Sequence, residues 1–148
     1  MKTLITATLF MLFSTIVSAQ DFSLSTFAGN GIKFDKSNNA TLYQASLSVI
    51  PQFNFNKLSV EGISKSILID STTEFQAGMR FSYNVWNDEN NKSLWLSTHY
   101  LYGSDKAQIV GAGVGYDVNL LRMNFEGGYD LQTDNKYLEF NIGLRISE

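Results

Sequence analysis

Ser97 and His99 stand two residues apart in a stretch whose side chains alternate, so an extended chain points both to the same side. A hydroxyl next to an imidazole is the beginning of a nucleophile and base pair, and Glu126 or Glu139, on later segments of the same kind, could orient the ring. The chemistry this would support is hydrolysis through a serine nucleophile. The competing reading makes His99, the single histidine of the chain, a polar filler of a crowded interior, and that reading is preferred. No residue is assigned as catalytic, cofactor-binding or metal-ligating. One histidine and no cysteine give no metal cluster, no phosphate-cradling glycine loop is present, and no cofactor is expected. Gly111, Gly113 and Gly115 alternate along a strand, where they relieve crowding in a narrow interior.

A larger constellation is ionic. Glu74, Arg80, Asp117, Arg122, Glu126, Asp130, Glu139 and Arg145 all fall on the polar parity of alternating segments, among Gly, Ser, Asn and Gln. These eight are the candidate members of an enclosed polar network in which guanidinium and carboxylate groups pair.

The elements that must position them are strands. Residues 73–85 show the pattern best: Phe75, Ala77, Met79, Phe81, Tyr83 and Val85 point one way, while Glu74, Gln76, Gly78, Arg80, Ser82 and Asn84 point the other. A period of two sorted this cleanly is a strand between unlike environments. The same alternation predicts strands near residues 22–29, 40–50, 55–65, 73–85, 93–103, 106–118, 121–131 and 137–146. Pro51 is expected to stop the second, because it cannot donate to a ladder. In the third, Leu58 and Val60 share one parity but Ile63, Ile67 and Ile69 the other, which predicts a bulge near Gly62. Polar connections are expected at 30–39, 66–72, 87–92, 103–106 and 132–136. No stretch of the chain after residue 19 has helical apolar periodicity of helix length.

Before these strands, Lys2, the apolar run 4–17 and the small residues Val17-Ser18-Ala19 read as a cleavable export signal, residues 1–19. Residues 20–148 then form one domain. A membrane strand takes about 9–11 residues, so eight strands and short turns account for the length, and eight is the smallest usual closed barrel. The net charge of −3, without any basic cluster, argues against a nucleic-acid partner.

Alternation alone does not separate a membrane barrel from a soluble, lipocalin-like carrier; the placement of charge does. Only 17% of residues are charged, against about 25% in soluble domains. Lys33, Lys36, Lys92, Lys106 and Lys136, five of the seven lysines after residue 19, sit in or beside connections instead of along a wet outer face. The parity free of charge fits a hydrocarbon exterior, where Arg or Lys would cost about 2–4 kcal/mol near the midplane. Tyr43, Tyr83, Trp86, Trp95, Tyr100, Tyr102, Tyr116, Tyr129 and Tyr137 lie mostly toward strand ends, as aromatic girdles do. The fold class expected is therefore all-β, an eight-stranded antiparallel up-and-down transmembrane β-barrel.

The strands containing Gly111-Ala112-Gly113-Val114-Gly115-Tyr116-Asp117 and Phe125-Glu126-Gly127-Gly128-Tyr129-Asp130, with the closing segment 138–146, resemble the small eight-stranded outer-membrane barrels. That group includes OmpX, the OmpA membrane domain and "porin family" proteins. The closing segment is similar to the family's carboxy-terminal insertion signal, although it ends Ile146-Ser147-Glu148 instead of on an aromatic residue. The resemblance implies a monomer in the bacterial outer membrane, with outer-membrane lipid and the β-barrel assembly machinery as partners. Both termini would face the periplasm. It implies a structural or surface-interaction role with the lumen filled by side chains. A narrow channel is an alternative, as is a lipid A hydrolase, since some members use Ser, His and Glu for that reaction; those enzymes carry the triad toward lipid, whereas parity puts His99 inside.

Overall fold

The computed structural model describes residues 21–147 apart from Asp70 and Asp105, so the expected export signal lies outside the described residues. Among the described residues nine strands occur in chain order: β1 (Asp21–Phe34), β2 (Ala40–Leu42), β3 (Ala45–Phe55), β4 (Leu58–Ile69), β5 (Thr72–Asp88), β6 (Lys92–Gly103), β7 (Gln108–Val118), β8 (Leu121–Asp130) and β9 (Lys136–Ser147). Every neighbouring pair is antiparallel, and β1 pairs with β9 from Ser23↔Ser147 to Phe34↔Lys136, which closes the sheet. β2 and β3 lie end to end along β1 as one interrupted strand, so the closed barrel has eight staves. Among the described strands, closure leaves only the three-residue β2 with a single neighbour.

Which side chains face in follows the alternation. On β5, Phe75, Ala77, Phe81, Tyr83 and Val85 are exposed, while Gln76, Arg80, Ser82 and Asn84 are buried. Among the described residues, twenty-six large apolar or aromatic side chains are exposed, twenty-one polar or charged ones are buried, and only eleven hydrophobic ones are buried. This is the reverse of a water-soluble barrel, whose apolar residues converge on the interior.

Several strand expectations are corrected. β1 runs on to Phe34 instead of ending at Gly29, so the first connection shrinks to 35–39. Gly31 makes this possible, since a Cβ there would strike the Tyr43 ring and the Leu138 carbonyl. Pro51 does not end its strand: the β1 ladder continues through Leu24↔Pro51 to Asp21↔Asn54, and only pairing to β4 lapses, at Ile50 and Pro51. A proline missing one donor thus interrupts one ladder over two positions and does not end the strand. No bulge occurs at Gly62, because β4 pairs with β5 in unbroken register from Leu58↔Tyr83 to Ile69↔Thr72. Ile63, Ile67 and Ile69 therefore share the interior with Ser59, Glu61 and Lys65. The register shift falls on β5, between Asn84 and Trp86. Lys106 belongs to a turn at φ 67°, and the strand after it starts at Gln108.

The interior is layered. The end carrying turns 35–39, 104–107 and 131–135 is filled by Tyr43, Ile67, Ile69, Leu101, Ala107, Ile109 and Tyr137, with Phe27, Ile50 and Ile63 in the same apolar cluster. Tyr43 and Tyr137, expected in the outer girdle, pack inside at 6.4 Å between ring centroids, and Trp95 is also internal. Tyr43 turns inward because the chain is irregular at 43–44: its N–H donates to the Gly31 carbonyl, whereas that of Gln44 donates to Leu68. The opposite end holds both strand termini and the tight turns at 56–57, 89–91 and 119–120.

Candidate functional site

The centre of the lumen is built on Glu61, which projects from β4 between two arginines and is fully buried. Its Oε2 accepts from Arg80 at 3.0 Å, and its Oε1 accepts from Arg122 at 3.1 Å and from the Ser82 hydroxyl at 2.9 Å. Arg80 also pairs with Glu126. Arg122 donates to the Gln52 amide oxygen at 2.7 Å and lies 3.2 Å from Asp117 through its Nε, an ion-pair contact outside hydrogen-bond geometry. Asp117 accepts from Arg145 at 2.9 Å. A second cluster joins Lys65 to Glu139, whose other oxygen accepts from Ser46 at 2.7 Å. These pairs contain four cations, Lys65, Arg80, Arg122 and Arg145, and four anions, Glu61, Asp117, Glu126 and Glu139.

That balance decides what the lumen can do. An isolated buried charge costs several kcal/mol, so each ion persists here only because partners and hydrogen bonds surround it. The void between Phe27, Lys65, Arg80 and Glu126 measures about 10 Å³, at the lower limit for a single water.

The residues anticipated from sequence take different places. Arg80, Asp117, Arg122, Glu126, Glu139 and Arg145 enter the two clusters. Glu74 instead stands at the far end of β5, half-buried, 3.1 Å from Lys33. Asp130, at the end of β8, accepts backbone N–H groups from Gln108 and Gln132 and so shapes a turn. Glu61, Lys65, Gln52 and Ser46 were not singled out. The signal existed in the unbroken parity of Ser59, Glu61, Ile63 and Lys65, which the expected bulge obscured.

Ser97 and His99 both face the lumen from β6, with no hydrogen bond between them. The His99 Nδ1 is 3.9 Å from Glu126 and carries no hydrogen bond. Gly111 makes room for the ring, since a Cβ there would meet its Nε2 and the Gly127 carbonyl. At 6% exposure, inside a closed wall, His99 meets no substrate-sized space.

Among the described residues, the wall's outer face carries charge only at strand ends, where Asp88, Lys92 and Lys136 stand. Phe75, Phe81, Leu96, Phe125, Phe140, Ile142 and Leu144 are exposed along it, with Tyr83, Trp86, Tyr100, Tyr102 and Tyr129 among them. At the termini-bearing end the lumen opens into a cup of about 480 Å³ lined by six asparagines with Trp95, Asp117 and Arg145.

An apolar wall, a closed eight-stranded sheet and an ion-paired interior define the fold of the small transmembrane β-barrels. Among solved structures, the chain is similar to Neisserial surface protein A, at a TM-score of 0.59 and 12% identity over 84% of this chain and 96% of that one. It is also similar to a de novo designed transmembrane β-barrel, at 0.52 and 16% identity over 82% and 95%. No protein-family model and no curated protein sequence matches it.

Proposed function

We propose that this chain is a small integral outer-membrane β-barrel with a plugged lumen, which serves a structural or surface-contact role. The observation that carries this is the inverted sorting of side chains: apolar groups cover the outside of a closed sheet whose inside is ionic. In hydrocarbon every backbone polar group needs a partner within the protein, and closure supplies it. The termini-bearing end faces the periplasm, and the turns at 35–39, 104–107 and 131–135 face outward. The chain inserts as a monomer, with β9 as the segment the barrel assembly machinery reads. Heat-modifiable gel mobility of a detergent-extracted envelope fraction tests location and closure together. A soluble, heat-insensitive band overturns the proposal.

Within that reading the barrel is not a channel, because eight strands enclose only enough space for side chains to fill and the ion-paired layer fills it. Purified protein in planar bilayers then gives no steady conductance. It is not a lipid A hydrolase either, since His99 is walled in and unbonded to Ser97; Ser97→Ala and His99→Ala leave lipid A processing unchanged. A lipocalin-like carrier needs an enclosed apolar cavity, whereas the cup is polar and at one mouth and the space of about 430 Å³ beside Leu47, Val49 and Phe75 is open at the outer wall.

A further inference from the structure

The cup at the termini-bearing end is unlike the rest of the molecule. The other end is closed by isoleucine and tyrosine side chains, but this one stays open over about 480 Å³, within the range of about 300–1,000 Å³ for small-ligand sites. Three of its six asparagines, Asn56, Asn91 and Asn119, have positive φ in tight turns, a conformation that asparagine tolerates well. Asn54, Asn84 and Asn87 lie within β3 and β5, where asparagine is disfavoured and no turn demands it. Asn54 accepts from Gln52 at 2.7 Å, and the Asn84 amide donates to Asn87, so the strand amides are held in fixed orientations.

We infer that this cup is a seat for an N-acetylated glycan. A side-chain amide both donates and accepts, which matches hydroxyl groups that do the same and the acetamido group, chemically the asparagine side chain over again. A strongly charged ligand is not favoured, because Lys92 and Arg145 in the cup are offset by Asp88 and Asp117. The Arg145 guanidinium, 26% exposed and bound to Asp117 through one nitrogen, keeps donors free for a ring or glycosidic oxygen. Trp95 lines the same space and is held by its indole N–H donating to Ser93 at 2.7 Å. The inference rests on the membrane-barrel reading only for the compartment that supplies the glycan.

The test uses the mature chain folded in detergent micelles, with Trp86→Phe leaving Trp95 as the only tryptophan. Titration with chitotriose to about 10 mM gives a saturable change in Trp95 emission, with a Kd of order 1 mM. Asn54→Ala, Asn84→Ala and Asn87→Ala each weaken it about three- to tenfold, the range for losing one polar pair. Maltotriose, which lacks acetamido groups, gives at most a tenth of the response. No saturable change, an equal response to maltotriose, or asparagine variants that bind as well as the parent overturn the inference. So does a response to sodium sulfate that chitotriose does not displace, which marks an anion seat at Arg145. Heat-modifiable mobility of the same samples shows whether the barrel is closed, so a failed seat is distinguished from a failed barrel. Chitotriose-sensitive co-sedimentation with cell-wall sacculi supports a wall glycan, and chitotriose-sensitive retention on lipopolysaccharide supports a lipid-linked one; either upholds the seat.

Discussion

Replacing Glu61 by Ala should be the most damaging single change in the lumen. Glu61 faces Arg80 at 3.0 Å and Arg122 at 3.1 Å and is fully buried. At an effective dielectric near 20 and these separations each pair is worth about 5 kcal/mol of attraction, much of it offset by the desolvation of the ions. Removing the anion keeps the desolvation of both arginines and loses the attraction, so breaking a buried pair costs about 3–5 kcal/mol. Arg80 retains Glu126 and Arg122 retains Asp117, which places the expected loss near the lower bound, about 3 kcal/mol. The assay is reversible urea unfolding of the barrel in lipid vesicles, followed by the heat-modifiable band and by tryptophan emission. As a control, Glu74→Ala removes a partner of Lys33 in a pair about one-fifth exposed at each side chain, and should cost less than about 1 kcal/mol. A Glu61→Ala loss no greater than that of Glu74→Ala refutes the argument that the ion network holds the lumen together.

Phe125→Arg, on the exposed face of β8 opposite Phe140, should cost about 2–4 kcal/mol in the same vesicles and far less in a mutant tested in soft detergent. Gly111→Ala should destabilise by about 1–3 kcal/mol through collision with His99 and the Gly127 carbonyl; adding His99→Ala should recover only the part owed to the ring. In the 35–39 turn, the Asn39 side-chain amide and the backbone N–H groups of Asn39 and Ser37 bind the Asp35 carboxylate and hold its pKa below the ordinary aspartate value. A group whose folded pKa is depressed stabilises above its unfolded pKa and loses that contribution as pH falls through the folded one. Amide shifts of Ser37 and Asn39 in micelles should therefore hold steady at neutral pH and move only below about pH 4, and Asp35→Asn should flatten the transition.

The barrel was legible in the sequence because its two environments differ so sharply. On β5 every interior and exterior position from Glu74 to Val85 could be assigned by parity alone. Parity failed where the interior itself changes character. Ile63, Ile67 and Ile69 are apolar yet face inward, since the end of the lumen opposite the termini is filled by a small hydrophobic cluster instead of ions. An alternation rule that equates apolar with outside has to invent a bulge there. The same misreading concealed Glu61 and Lys65, the hubs of the two ion clusters. Tyr43, Trp95 and Tyr137 were misplaced for a related reason: an aromatic near a strand end serves a lipid interface or a lumen cap equally well, and only the irregularity at 43–44 and the packing of the two tyrosines distinguish them.

These layers also explain why the charges lie where they do. A lumen filled with hydrocarbon throughout would offer the chain two apolar faces, and a one-residue slip between neighbouring strands would exchange them at little cost. Joining Glu61, Arg80, Arg122 and Glu126 in one interior network makes any slipped register put an ion into lipid, at about 2–4 kcal/mol for each arginine near the midplane. The apolar cluster needs no such device at its own end, because there β1 and β9 run in unbroken register up to Phe34↔Lys136 and the short turns limit slippage. On this argument the ionic layer contributes more to the uniqueness of the fold than to its net stability. The contrast is testable: replacing Glu61, Arg80, Arg122 and Glu126 together by Gln and Met should leave the unfolding free energy within about 1–4 kcal/mol of the parent while broadening the amide spectrum of β4 and β5 into several species.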